Sequence, residues 1–276
     1  MIDVHCHLNF YKFDSDYDQV IKDALSAGVT KIVNTGTSVE SSAKAVELAS
    51  KYPQLYAIVG IHPHHADKTD AKYEGIPAED WLSQLEILAK KPKVIGIGEI
   101  GMDYFRYKSN GVVEKTLQED AFRKQIELSI KLGLPLQIHN RLAWDDTLNM
   151  LLEYKNQLQE VPGMFHCFSG SIAFTRRVLD AGFYLGFDGN ATYPGIPPGE
   201  DTSLSELIKY APVDRILTET DSPFLSPQTL RGSRNVPQNV IIVGEYIASL
   251  KGMPVEKVKE QTQKNFESVF GKHIHD

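Results

Sequence analysis

Short apolar runs recur along the chain, and each is followed by a stretch in which apolar residues return every three or four positions. The runs are Ile2 to Val4, Lys31 to Thr35, Leu55 to Gly60, Val94 to Gly98, Pro135 to Ile138, Gly163 to Phe165, Phe183 to Phe187 and Arg215 to Thr218. They are short and apolar enough to be covered on both faces, which predicts parallel strands. The stretches between them predict helices through Val20 to Leu25, Ser38 to Tyr52, Ala78 to Ala89, Leu117 to Leu132, Trp144 to Tyr154, Ile172 to Ala181, Leu204 to Tyr210 and Pro237 to Leu250. Ser38 is a natural N-cap, and Gly28, Gly133 and Gly182 stand where glycine ends a helix. A further helix is predicted over Pro254 to Phe270, and polar loops over Asp67 to Pro77 and Gly101 to Val113. Strand and helix alternating without interruption imply an α/β chain whose parallel sheet is covered by helices. Eight strands in 276 residues fit a TIM (β/α)8 barrel with an extra C-terminal helix, expected to form one domain over residues 1–276.

Charge and cysteine content narrow the function classes. The formal net charge is -7, with 29 Lys and Arg against 36 Asp and Glu, so an overall basic field for wrapping a long duplex is absent. The two cysteines, Cys6 and Cys167, form no C-x-x-C and no disulfide framework, and both read as small buried hydrophobes. No signal-peptide pattern opens the chain, and no apolar run approaches the ~18 residues of a membrane span. These features predict a cytoplasmic protein without a membrane partner.

The chemistry lies in where the polar residues fall. His5 and His7 stand two apart at the end of the first strand, so both imidazoles face one way and Cys6 the other. Alone, such a pair is a weak signal. Glu99 follows the fourth strand, His139 the fifth, His166 the sixth, and Asp221 lies just past the eighth. In a barrel of this kind the C-terminal rim is where active sites form. Imidazoles and carboxylates without a thiolate suit Zn²⁺, Mn²⁺, Ni²⁺ or Mg²⁺. Six ligands are too many for one open catalytic ion and suit two divalent cations sharing a carboxylate. Glu99, from the middle of the strand order, is the natural bridge. His5, His7 and Asp221 would hold one ion, since the first and last strands are neighbours in a closed barrel, and His139 and His166 the other.

The segments Asp3-Val4-His5-Cys6-His7, Gly60-Ile61-His62-Pro63-His64, Gly98-Glu99-Ile100-Gly101-Met102-Asp103-Tyr104, Ile138-His139, His166-Cys167-Phe168-Ser169-Gly170, Glu219-Thr220-Asp221-Ser222-Pro223 and Arg231-Gly232-Ser233-Arg234-Asn235 occur in this order over nearly the whole chain. In them the chain resembles the TatD family of metal-dependent hydrolases and DNases, within the amidohydrolase superfamily. The resemblance implies a TIM barrel, two divalent metals and phosphodiester hydrolysis, often with 3′ to 5′ DNA exonuclease activity. It also implies that His5, His7, Glu99, His139, His166 and Asp221 are the ligands. The proline-rich loop Asp188 to Gly195 departs from many relatives, which bears on substrate preference.

From this follow the expected roles. A two-metal-activated water attacks phosphorus, Asp221 accepts its proton, and Asp221 and Glu99 are the catalytic carboxylates. Arg231 and Arg234, in the loop after the last strand, are expected to clamp substrate phosphate, because Arg reads phosphate bidentately and this region often binds it. His62 and His64 are expected beside the ligands or the substrate, and His65 at the surface. The acidic balance predicts a small footprint: nucleic acid ends or short oligonucleotides. The competing readings are another amidohydrolase-type reaction, on an aminoacyl ester, lactone or amide, and a non-catalytic metal-binding scaffold.

Overall fold

The computed structural model describes residues 1–69, 80–108 and 111–274. One parallel sheet runs in sequence order through β1 (Ile2–Cys6), β2 (Lys31–Thr35), β3 (Leu55–Val59), β4 (Val94–Asp103), β5 (Leu136–Arg141), β6 (Gly163–Phe165), β7 (Tyr184–Phe187) and β8 (Ile216–Thr218). β8 returns to β1: Thr218 Oγ1 donates to the Ile2 carbonyl at 2.8 Å, the Asp221 amide to His5 at 2.9 Å, and the His7 amide to Ser222 at 2.7 Å. The expected TIM barrel is therefore the fold.

Helices occupy each crossover: α1 (Tyr17–Ser26), α2 (Val39–Lys51), α3 (Trp81–Ala89), α4 (Lys115–Leu132), α5 (Trp144–Glu153), α6 (Ile172–Asp180) and α7 (Leu204–Tyr210), with α8 (Val240–Lys251) after β8. Their starts are set by local chemistry. The Ser38 hydroxyl accepts from the Ser41 amide in a reciprocal capping box, and Asp80 caps α3 from the Ser83 amide at 2.9 Å. Pro237 begins a 3-10 turn, Pro237–Asn239, before α8 rather than α8 itself. The extra C-terminal helix, α9 (Val255–Phe270), does not join the outer ring. Its Phe266, Val269 and Phe270 pack with Ile2, Tyr56, Ile95, Tyr184 and Leu217, which start their strands, and so plug the N-terminal mouth of the barrel. That leaves the opposite rim as the open one.

Two expectations about loops change. The loop expected from Asp67 to Pro77 begins as the end of a 3-10 helix, Pro63–Lys68, and from residue 70 to Glu79 it lies outside the described residues, with the expected start of α3 at Ala78. The loop expected from Gly101 starts only after Asp103, because β4 continues for five residues past Gly98.

Candidate metal centre

β1 delivers two imidazoles to the rim, though not by simple alternation. Its register against β2 slips between Asp3 and Cys6, so Ile2 and Val4 enter the barrel interior while Cys6 packs in the outer layer, its thiol donating to the Val33 carbonyl. His5, within the slip, and His7, just after β1, face each other, with their Nε2 atoms 3.1 Å apart. The tautomers follow from their partners. His7 Nδ1 lies 2.9 Å from the Thr35 carbonyl and must donate to it. Gln137 Nε2 donates to the Val4 carbonyl at 2.8 Å, which turns Gln137 Oε1 toward His5 Nδ1 at 2.8 Å, so that nitrogen donates too. In the neutral rings, then, two lone pairs point at each other. Buried, that is unfavourable unless a proton or a cation lies between them.

Glu99 stands beneath. Its Oε2 is 3.7 Å from both Nε2 atoms, and Asp221 Oδ1 is 3.6 Å from His5 Nε2 and 3.3 Å from His7 Nε2. Its other oxygen, Oε1, is 2.7 Å from His139 Nδ1 and 2.9 Å from His166 Nε2, which are 3.4 Å apart. Metal–ligand bonds of about 2.0–2.2 Å put two ligands of one ion roughly 3 to 3.6 Å apart, so both clusters have the spacing of a cation's ligand shell. Among the described residues, His5, His7 and Glu99, and separately Glu99, His139 and His166, form groups able to hold a metal ion. The structure thus gathers all six expected ligands around one carboxylate.

Three partners went unread in the sequence. Asp103 Oδ2 accepts from His139 Nε2 at 3.0 Å, which turns the Nδ1 lone pair toward Glu99. Glu219, fully buried, lies 3.4 Å from His166 Nδ1, and Gln137 orients His5. A carboxylate or amide behind each ligating imidazole is the usual way to fix its tautomer. Asp103 was legible as a residue within the Gly98 to Tyr104 segment, but its role was not, because it seemed to sit in a loop. The turn holding Glu219 and Asp221 is pinned by Asp3, whose buried carboxylate accepts from the Thr220 amide at 3.0 Å and hydroxyl at 2.7 Å. Asp221 itself takes a left-handed φ of 51°, a conformation kept for a functional reason more often than for packing.

Burial and mutual charge set the protonation of this cluster. Burial opposes ionisation of Glu99, but the imidazoles of His62, His166 and His139 outweigh it and hold the carboxyl well below its ordinary value. Burial likewise opposes the charged form of His139, yet its bonds to Asp103 and Glu99 raise it to about 9. His166 is raised well above its ordinary value against burial by Glu99 and Glu219. His5 goes the other way, pushed down by burial and by His166. The pattern is that of an anionic pocket holding protons where cations would fit.

A cavity of about 500 Å³ opens above the cluster. His62 and His64 line it. His62 accepts at Nδ1 from the His64 amide, so its Nε2–H faces Glu99 Oε1 at 3.4 Å, and burial lowers its pKa to about 3. His64 Nε2 is 3.0 Å from Asp103 Oδ2 but not aligned for a hydrogen bond. His65 is not simply at the surface. Its Nδ1 donates to the Thr37 carbonyl at 2.7 Å, and its ring lines the cavity. Asn190, in the loop Asp188 to Gly195, and Pro197 and Pro198 just after it also line the cavity. Arg231 and Arg234 do not line it. Arg234 pairs bidentately with Asp16 at 2.9 and 2.6 Å, and Arg231 lies over the Tyr193 ring, 4.3 Å from its centroid. The two expected phosphate clamps are thus engaged with Asp16, just before α1, and with Tyr193, after β7, rather than with the cavity lining.

Comparison with known proteins gives the family. The family model described as TatD related DNase matches residues 2–271. An uncharacterized metal-dependent hydrolase, YabD from Bacillus subtilis, is 36% identical over 270 residues, covering 98% of each chain. A 3′-5′ ssDNA/RNA exonuclease TatD from Klebsiella pneumoniae is 32% identical over 276 residues, again 98% of each. The crystal structure of the TatD homologue YJJV from Escherichia coli K12 superposes with a TM-score of 0.85 at 27% identity, over 98% of both chains. A barrel whose open rim collects imidazoles around one carboxylate, and a family match over nearly its whole length, lead to one conclusion: the chain belongs to the TatD-related DNase family of metal-dependent hydrolases.

Proposed function

We propose that the protein is a deoxyribonuclease that hydrolyses phosphodiester bonds at strand ends, in 3′-5′ exonuclease fashion, with two divalent cations. The observation that carries the two-ion reading is Glu99, whose two oxygens face two different imidazole pairs. His5, His7, Asp221 and Glu99 Oε2 would hold one ion, and His139, His166 and Glu99 Oε1 the other. Bound divalent cations supply Lewis acidity toward phosphoryl oxygens and lower the pKa of water at the site.

The protein's own groups do the rest. Gln137, Thr35 and Asp103 keep three imidazole lone pairs aimed inward, so little reorganisation accompanies the reaction. Asp221, at the cavity edge, accepts the proton of the water that attacks phosphorus. The new oxygen–phosphorus bond forms as the ester bond breaks, and the departing alcohol takes up a proton. His62 presents its Nε2–H beside Glu99, where it can donate to a phosphoryl oxygen. The cavity, at about 500 Å³, suits one nucleotide better than a duplex.

The exonuclease name of the Klebsiella relative supports this substrate class. Both cysteines are free, and no helix among the described residues is long and apolar enough to cross a membrane, which supports a cytoplasmic location. The test is a metal-reconstituted assay on end-labelled single-stranded and duplex DNA. Release of mononucleotides from the 3′ end is expected, with loss in Glu99→Ala. Asp221→Asn should cut kcat far more than it raises KM. Wild-type turnover in Asp221→Asn refutes its proton-accepting role, and a wild-type protein that leaves DNA uncut while hydrolysing lactones or aminoacyl esters refutes the nuclease reading.

A further inference from the structure

We propose that Arg141 is the residue by which the cavity recognises a phosphate of its substrate, adjacent to the one being cut; this rests on the phosphodiester reading above. Arg141 is the last residue of β5, two beyond His139, and pairs in register with Asp103 of β4. Among the described residues it is the only lysine or arginine lining the cavity. Arg123, Arg176, Arg177 and Arg234 are each paired to a carboxylate elsewhere. Arg141 has no carboxylate partner among the described residues, although the neighbouring cluster is rich in them. Its charge is therefore left for a ligand.

The side chain is also held still. Its guanidinium carbon lies 3.9 Å from the Phe105 ring centroid and 5.3 Å from that of Tyr107, and Nη1 donates to the Tyr107 hydroxyl at 2.6 Å. A guanidinium stacked on aromatic faces keeps its N–H fork in the plane, free to take two phosphate oxygens at once. The Tyr107 hydroxyl, having accepted from Arg141, donates to Asp103 Oδ2 at 3.1 Å, the oxygen that also accepts from His139. One chain of hydrogen bonds thus ties the guanidinium to the imidazole beside Glu99. Two residues of strand separate Arg141 from His139, about 6–7 Å along β5 on the same face. A phosphate at Arg141 is therefore not the scissile one over Glu99 but its neighbour toward the rim.

The test separates this role from the chemistry. Fluorescein-labelled d(T)6 is titrated against the full chain in chelator, with binding read by anisotropy. Arg141→Gln should weaken binding at least tenfold, and Arg141→Lys should recover part of it. With metal restored, Arg141→Gln should raise KM for d(T)6 at least tenfold. It should leave KM for bis(p-nitrophenyl) phosphate, which has no second phosphate, within about twofold, and leave metal content unchanged. Equal binding by wild type and Arg141→Gln, or an equal KM effect on both substrates, overturns the proposal. Wild-type protein that binds d(T)6 through Arg141 but does not cleave it overturns the nuclease reading alone.

Discussion

At the scale of single residues, the centre works by constraint on protons. Asp103 is the clearest case, because one of its oxygens takes bonds from both His139 and Tyr107. Burial opposes its ionisation, but the imidazoles of His139 and His64 pull its carboxyl far below the ordinary range, so it stays an acceptor. Removing it leaves His139 free to rotate or to protonate Nδ1, the atom facing Glu99. Asp103→Ala should therefore lower affinity for the ion near His139 and His166 by about 10–100-fold, while the ion near His5 and His7 is retained. Metal titration followed by elemental analysis of the dialysed protein checks this, and equal loss of both ions would refute it. Sequence reasoning could single out the six candidate ligands because each falls at or just past the end of a predicted apolar run, even where, as at Glu99, the strand itself runs on. It could not find Asp103 or Glu219 as their supports, because support is a matter of angle and tautomer, which spacing does not carry.

At the scale of elements, the strands were legible wherever they were plain apolar runs, as at Leu55 to Val59 and Gly163 to Phe165. β4 was not, because three glycines interrupt it and glycine reads as a strand breaker. Packing explains them. A side chain at Gly101, where φ is 142°, would put its first carbon 1.9 Å from the His139 carbonyl oxygen. Gly98 is crowded by Gln137, the residue that orients His5. These glycines let β4 and β5 close on each other at the level of the site, and that approach sets Glu99 beside His139. Gly101→Ala must push the two strands apart and adopt a strained backbone besides. It should lose activity and metal content together, with a melting temperature several degrees lower, whereas Gly133→Ala, where no atom lies within 4 Å of the added carbon, should keep both activity and metal. Retained metal and turnover in Gly101→Ala would show that the close approach is dispensable. For the arginines after β8, residue type and loop position suggested Arg231 and Arg234, but not their partners, Asp16 in the loop before α1 and Tyr193 after β7, because long-range partners cannot be read from neighbours in sequence.

At the scale of the whole molecule, charge decides how substrate is held. With seven more acidic than basic side chains, the protein gains little long-range attraction for a polyanion. Among the described residues four of its arginines, Arg123, Arg176, Arg177 and Arg234, are paired with carboxylates, and one, Arg141, lines the cavity. α9 closes the other end of the barrel, so substrate has one face to approach, and that face is lined by imidazoles, prolines and aromatic rings such as Phe224, which is 42% exposed. Counterion release follows the number of phosphates neutralised by basic side chains, with a log–log slope of about -0.7 per phosphate on a single strand. One or two such contacts give a slope of roughly -0.7 to -1.4 for oligonucleotide binding between 50 and 200 mM salt, and lengthening the strand beyond the cavity should not steepen it. Arg141→Gln should flatten it by about 0.7. Anisotropy titrations of d(T)6 and d(T)20 across that salt range measure all three quantities. A slope that grows with strand length would mean a basic track outside the cavity, and the short-footprint account of this site would have to be given up.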